Sequence, residues 1–186
     1  MTKRTESTQP VPPTKASYAL EELTRHSHGE KLDAAKRLLL EYGQFVTAQP
    51  GVASFCLGTL EREAADLPHS YLDQGGGAII ATLGGQHIGF VAWRGLPIPE
   101  LATAWELKRL WTRPEARGTG IGRALVQAVL DRAGVANKSI ILLDTAPDVM
   151  AAAYRLYRSM GFVDCPPYNG RSPEGIVYMS KALDPA

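Results

Sequence analysis

A run of seven residues near the middle of the chain, Arg117-Gly118-Thr119-Gly120-Ile121-Gly122-Arg123, joins bare backbone to positive charge. Glycine lets a partner approach the main chain closely. From Ile121 onward, the apolar residues at 121, 124, 125, 128, 129 and 133 share one helical face. A helix that opens on glycines leaves its first N–H groups unpaired, beside the positive end of its dipole. The chemistry this predicts is anion binding, with a diphosphate as the natural occupant. Between Glu106 and Arg123, five basic residues (Lys108, Arg109, Arg113, Arg117 and Arg123) face two acidic ones, while the whole chain carries a net charge of only +1. A Walker A loop is excluded, because no Lys follows the glycines. A dinucleotide fingerprint would need its third glycine one residue later and an earlier place in the chain. An ordinary glycine-rich turn stays open until the flanking elements are read.

Those elements follow from hydrophobic period and turn residues. Ser17–Thr24 alternates as an edge strand, and Lys31–Val46 places Leu32, Ala35, Leu38, Leu39 and Tyr42 on one helical face. A second helical piece is predicted from about Leu57 to Ala65. Ala78–Leu83 and His87–Arg94, joined by Gly84-Gly85, read as a hairpin, and Thr103–Thr112 is a third strand leading to the glycine loop. Beyond the loop helix come a buried strand at Ser139–Thr145 and a second amphipathic helix at Ala151–Met160, stopped by Gly161. Extended structure resumes at Phe162-Val163, and Ile176–Lys181 is a last strand. The expected fold class is α+β: a central mixed, mostly antiparallel sheet flanked by helices.

With 186 residues, 45% hydrophobic and 21% charged, one globular domain over residues 17–186 is expected. Residues 1–16, rich in Thr, Ser, Lys and Pro, read as a disordered tail. Near-neutral charge argues against nucleic acid as a partner. No apolar run has membrane-spanning length, and the first residues lack the apolar core of a signal peptide. Cys56 and Cys165 lack metal-type spacing and read as free buried thiols in a reducing cytoplasm. His26 and His28 have no third ligand nearby and read as solvated loop residues, so no metal is expected.

Two stretches carry a resemblance to the GNAT N-acetyltransferases, covering about Ser17 to Leu183. Leu110-Trp111-Thr112-Arg113-Pro114 followed by Arg117 to Arg123 resembles the superfamily's coenzyme A motif, with Arg117, Gly120 and Gly122 matching Arg/Gln-x-x-Gly-x-Gly/Ala. Leu156-Tyr157 with Met160-Gly161-Phe162 resembles its second hallmark, Leu-Tyr-x-x-x-Gly-Phe. The resemblance implies acetyl transfer from acetyl-CoA to an amine of a small molecule or peptide. It implies a bulged central strand, with the pantetheine arm along Leu110, Trp111 and Thr112. The diphosphate would lie on Arg117 and the amides of Gly118, Thr119, Gly120, Ile121, Gly122 and Arg123.

Tyr157 matches the family's general acid and Glu106 its general base, with an ion pair to Lys108 or Arg109 as the alternative role for Glu106. Asp144, at a strand's carboxyl end, is a second candidate base. Met150 stands where many relatives carry Asn, and Thr145 where some carry Glu, which weakens any assignment to the peptide N-terminus acetylating branch. Trp105–Leu110, Leu143-Asp144-Thr145 and Pro166-Pro167-Tyr168 together resemble a bacterial GNAT group. Acceptor contacts are expected from the loops Glu61–Gln74 and Tyr168–Glu174. A non-catalytic acyl-CoA sensor is the alternative function, and a homodimer is left open.

Overall fold

In the computed structural model, which describes residues 17–49, 60–170 and 173–183, strands and helices are arranged about a single sheet. The strands are β1 (Tyr18–Glu22), β2 (Gly77–Leu83), β3 (Gln86–Gly95), β4 (Ala104–Thr112), β5 (Ile140–Thr145), β6 (Val163–Cys165) and β7 (Val177–Ala182). The helices are α1 (Gly29–Thr47), α2 (His69–Leu72), α3 (Ile121–Val135) and α4 (Ala151–Ser159), and residues 60–65 are also helical. The sheet order is β1-β2-β3-β4-β5-β7-β6. Every neighbouring pair is antiparallel except β4 and β5. The expected α+β architecture is the one observed.

Both faces of the sheet are covered, so the central strands read as continuous apolar runs. The period of two still sorts β2: Ala78 and Ile80 pack with Leu38 and Leu39 of α1, and Ile79 and Ala81 with Leu125 and Val129 of α3. Gly89 on β3 has no side chain because α3 lies too close: a Cβ there would stand 3.0 Å from Leu125 Cδ1.

Two features of β4 make the site. Phe90 on β3 faces Trp111, but Ala92 faces Lys108, so β4 holds one extra residue, a β-bulge. Arg109 sits in it with φ +58, in the left-handed region that non-glycine residues rarely occupy. On the other side, β5 pairs with β4 only from Ala104 to Glu106. Beyond Glu106 the two strands part, and among the described residues that edge of β4 has no partner strand.

Two expectations need amendment. The short helix α2 falls in a stretch read as an acceptor loop, and Cys165 is half-buried and free. Residues 1–16, Cys56 and the start of the second predicted helix lie outside the described residues. His26 and His28 are exposed. No described helix is long and apolar enough to cross a membrane.

Candidate active site

The glycine loop ends in Gly120, the residue that begins α3, with φ +89, and Gly118 has φ +78. A Cβ on either would meet nothing within 4 Å, so the loop faces open space and the left-handed backbone is what requires glycine. No side chain caps the helix. Its first internal bond runs from the Ala124 N–H to the Gly120 carbonyl at 3.0 Å, which leaves the earlier N–H groups available. Leu110, Trp111, Thr112, Arg117, Gly118, Gly120, Gly122 and Arg123 line one groove here, together with Met150. Thr119 turns its hydroxyl back to the Ala116 carbonyl at 2.6 Å, and Ile121 is buried in the core. Neither of those two lines the groove.

Three of the five cations are paired with carboxylates. Arg113 forks onto Glu41 at 2.6 and 3.0 Å, and Arg109 onto Glu63 at 2.9 Å through both arms. Lys108 lies between Asp144 (2.8 Å) and Glu106 (3.4 Å). Among the described residues, only Arg117 and Arg123 of the five cations lack an acidic partner, and both line the groove. Arg117 rests over the rings of Trp111 (5.2 Å) and Phe45 (5.5 Å), and Arg123 donates to Ser159 Oγ at 2.6 Å. The positive field of the groove rests on these two residues and the helix start.

Where β4 and β5 part, the groove continues into a small cavity. Leu110, Val149, Met150 and Ala153 line both, while Tyr42, Lys108, Asp144 and Tyr157 line the inner part. The amphipathic period of α4 buries Tyr157, whose ring packs on Phe162 at 5.6 Å. Its hydroxyl has no hydrogen-bond partner among the described residues. Burial, then the nearby Tyr42 and Asp144, pushes that hydroxyl far above the ordinary phenol range, so it keeps its proton.

Glu106 is 1% exposed and fully engaged. Its Oε2 accepts two bonds from Arg94 at 2.7 Å, and its Oε1 accepts from the Tyr168 hydroxyl at 2.9 Å and from Lys108. The ion pair weighed against a base role is present with Lys108, whereas Arg109 turns away to Glu63. Asp144, with 31% of its side chain exposed, is the carboxylate that reaches the cavity. Burial, the largest single influence, works against its charge, but Lys108, Arg109 and a backbone hydrogen bond together hold the carboxyl below its usual range. Burial likewise opposes the charge of Lys108, and Asp144 and Glu106 together lift it above the usual ammonium range. Arg94, Glu63 and Tyr168 carried no local signal of these roles: each meets its partner across many residues of chain.

A family model described as the Acetyltransferase (GNAT) family matches residues 47–162, more than half of the chain. The chain is 37% identical over 130 residues to N-acetyltransferase 8 of Rattus norvegicus, a match covering 67% of this chain and 56% of that protein. It spans about half the length of the curated relatives it matches. An acetyltransferase of the GNAT family from Staphylococcus aureus shares the fold with a TM-score of 0.69 at 18% identity, over 90% of this chain and 100% of that one. A structure from Salmonella typhimurium, described as an acetyltransferase with its cofactor acetyl-CoA, does so with a TM-score of 0.68 at 15% identity, over 92% and 96%.

Proposed function

The chain belongs to the GNAT acetyltransferase family, and from that membership we propose that it transfers an acetyl group from acetyl-CoA to an amine of a small molecule or peptide. In this reading residues 17–186 act as one acetyltransferase domain, working in the cytoplasm. The residues present fit the co-substrate. Left-handed glycines facing open space, an uncapped helix start and two cations without acidic partners among the described residues suit a diphosphate. The free edge of β4 from Leu110 to Thr112 suits an extended, amide-bearing arm, which can pair with it as an added strand would. Acetyl-CoA, when bound, supplies a thioester carbonyl for the amine to attack and a thiolate as the leaving group.

Tyr157 serves as the general acid, giving its proton to the departing sulfur. Glu106 serves as the base at one remove. Its Oε1 holds the Tyr168 hydroxyl at 2.9 Å, and a hydroxyl so placed can take a proton while passing its own to the carboxylate. The observation that carries the reading is the Tyr157 hydroxyl: protonated, unpartnered among the described residues, and in the cavity that opens from the cofactor groove. A hydroxyl that keeps its proton and has no hydrogen-bond partner among the described residues can give that proton to a departing sulfur.

The test is thiol release from acetyl-CoA across a panel of amines, with acetyl-CoA binding measured in parallel. Turnover with any amine supports the transferase. Tight binding with no turnover on any amine would make the domain an acyl-CoA sensor instead.

A further inference from the structure

We propose that Asp144 anchors the acceptor's ammonium group, and that the acceptor is a primary amine on an uncharged, apolar carrier with no carboxylate beside the nitrogen. This rests on the transferase reading above and adds the acceptor's chemistry. Of the two carboxylates on the parting strands, Glu106 is 1% exposed and its oxygens are taken, whereas Asp144 opens on the cavity with 31% of its side chain exposed. Asp144 Oδ1 accepts from Lys108 at 2.8 Å, and Oδ2 receives no side-chain hydrogen bond among the described residues. Tyr157, the proposed acid, lines the same cavity, and the Asp144 charge reaches its hydroxyl. An ammonium held at Oδ2 therefore stands in the space that the acyl carbon must enter.

The walls describe the rest of the molecule. Val46, Leu107, Ala146, Val149 and Ile176 are apolar. The cavity's two cations, Lys108 and Arg109, are each occupied by carboxylates. A carboxylate next to the amine would meet the Asp144 charge and, among the described residues, no free cation to offset it.

Phenethylamine and phenylalanine share a skeleton and differ by that carboxylate, so they make the test. The wild-type protein should acetylate phenethylamine with kcat/KM at least about tenfold above phenylalanine. Asp144→Asn should raise KM for phenethylamine by roughly tenfold or more, with a smaller change in kcat and an unchanged Kd for acetyl-CoA. The unchanged Kd reports an intact fold, and Asp144→Glu should recover part of the loss. Calorimetric titration of phenethylamine into the coenzyme A complex gives a readout independent of turnover. Phenethylamine binding that weakens in Asp144→Asn, while the wild-type protein turns over no amine of the panel, would sustain the ammonium site while ending the transferase reading. Equal use of phenylalanine, or an Asn variant whose KM and amine affinity match wild type, would overturn it.

Discussion

Tyr157 and Gly120 show how much chemistry one atom can hold. Tyr157→Phe keeps the ring on Phe162 and removes only the hydroxyl, which makes no hydrogen bond among the described residues. Stability and the Kd for acetyl-CoA should stay near wild type, while kcat falls by about 10²–10⁴, the usual worth of a general acid. Steady-state kinetics with binding calorimetry check this; a normal kcat would leave catalysis to positioning alone. At Gly120, φ +89 is a conformation that a β-branched residue resists, and the space beyond it is open. Gly120→Val should weaken acetyl-CoA binding by about tenfold or more, or ~1.4 kcal/mol. Gly122 makes a useful contrast, since a Cβ there would lie 3.4 Å from Leu156 Cδ2, an ordinary contact. Gly122→Ala should therefore leave the melting temperature unchanged and lower only the affinity.

The β4 bulge lies just past the point where β4 and β5 part, and a buried ion pair holds it. Arg109, left-handed at the bulge, is forked onto Glu63, which also accepts the Tyr71 hydroxyl at 2.6 Å. Glu63→Ala would leave a buried guanidinium without its partner, a change typically costing about 3–5 kcal/mol. Urea unfolding should show that loss, and a loss under ~1 kcal/mol would mean that solvent reaches Arg109 freely. Burial, the largest single influence, opposes the Glu63 charge, but Arg109, Tyr71 and Lys108 together hold the carboxyl below its ordinary value. With the folded value lowered, the unfolded chain binds more protons between the two values. The stabilisation is present above the unfolded value and is lost as pH falls through the folded one. Asp144 has the same sign. Unfolding followed against pH should show stability dropping on the acid side of the ordinary carboxylate range, with a shallower drop in Glu63→Gln.

For the whole molecule, the distribution of charge matters more than its total. The net charge is +1, yet Arg117, Arg123 and the start of α3 face one groove without acidic partners among the described residues. Salt screens such an exposed field over about 8–10 Å near physiological strength. Acetyl-CoA should bind more weakly as salt rises, while pantetheine, which lacks the phosphates, should show little dependence. Equal salt slopes for the two would remove the diphosphate from the loop. With two cations rather than five available, the slope should be modest.

The sequence alone determined the order and type of nearly every element, because helical and strand periods, Gly84-Gly85 and the break at Gly161 are local features that neighbouring residues decide. It also located the glycine loop and placed Tyr157 on the inner face of its helix. Only the tertiary structure decided which charges act. Lys108, Arg109 and Glu106 were legible as chemistry-bearing residues, but their partners lie 36, 46 and 62 residues away in Asp144, Glu63 and Tyr168. No local pattern records such a pairing. In a buried site it is the partner, through desolvation and charge, that decides whether a side chain is free to meet a substrate. That is why Glu106 stands walled in beneath Arg94 and Tyr168, and Asp144 is the carboxylate left facing the cleft.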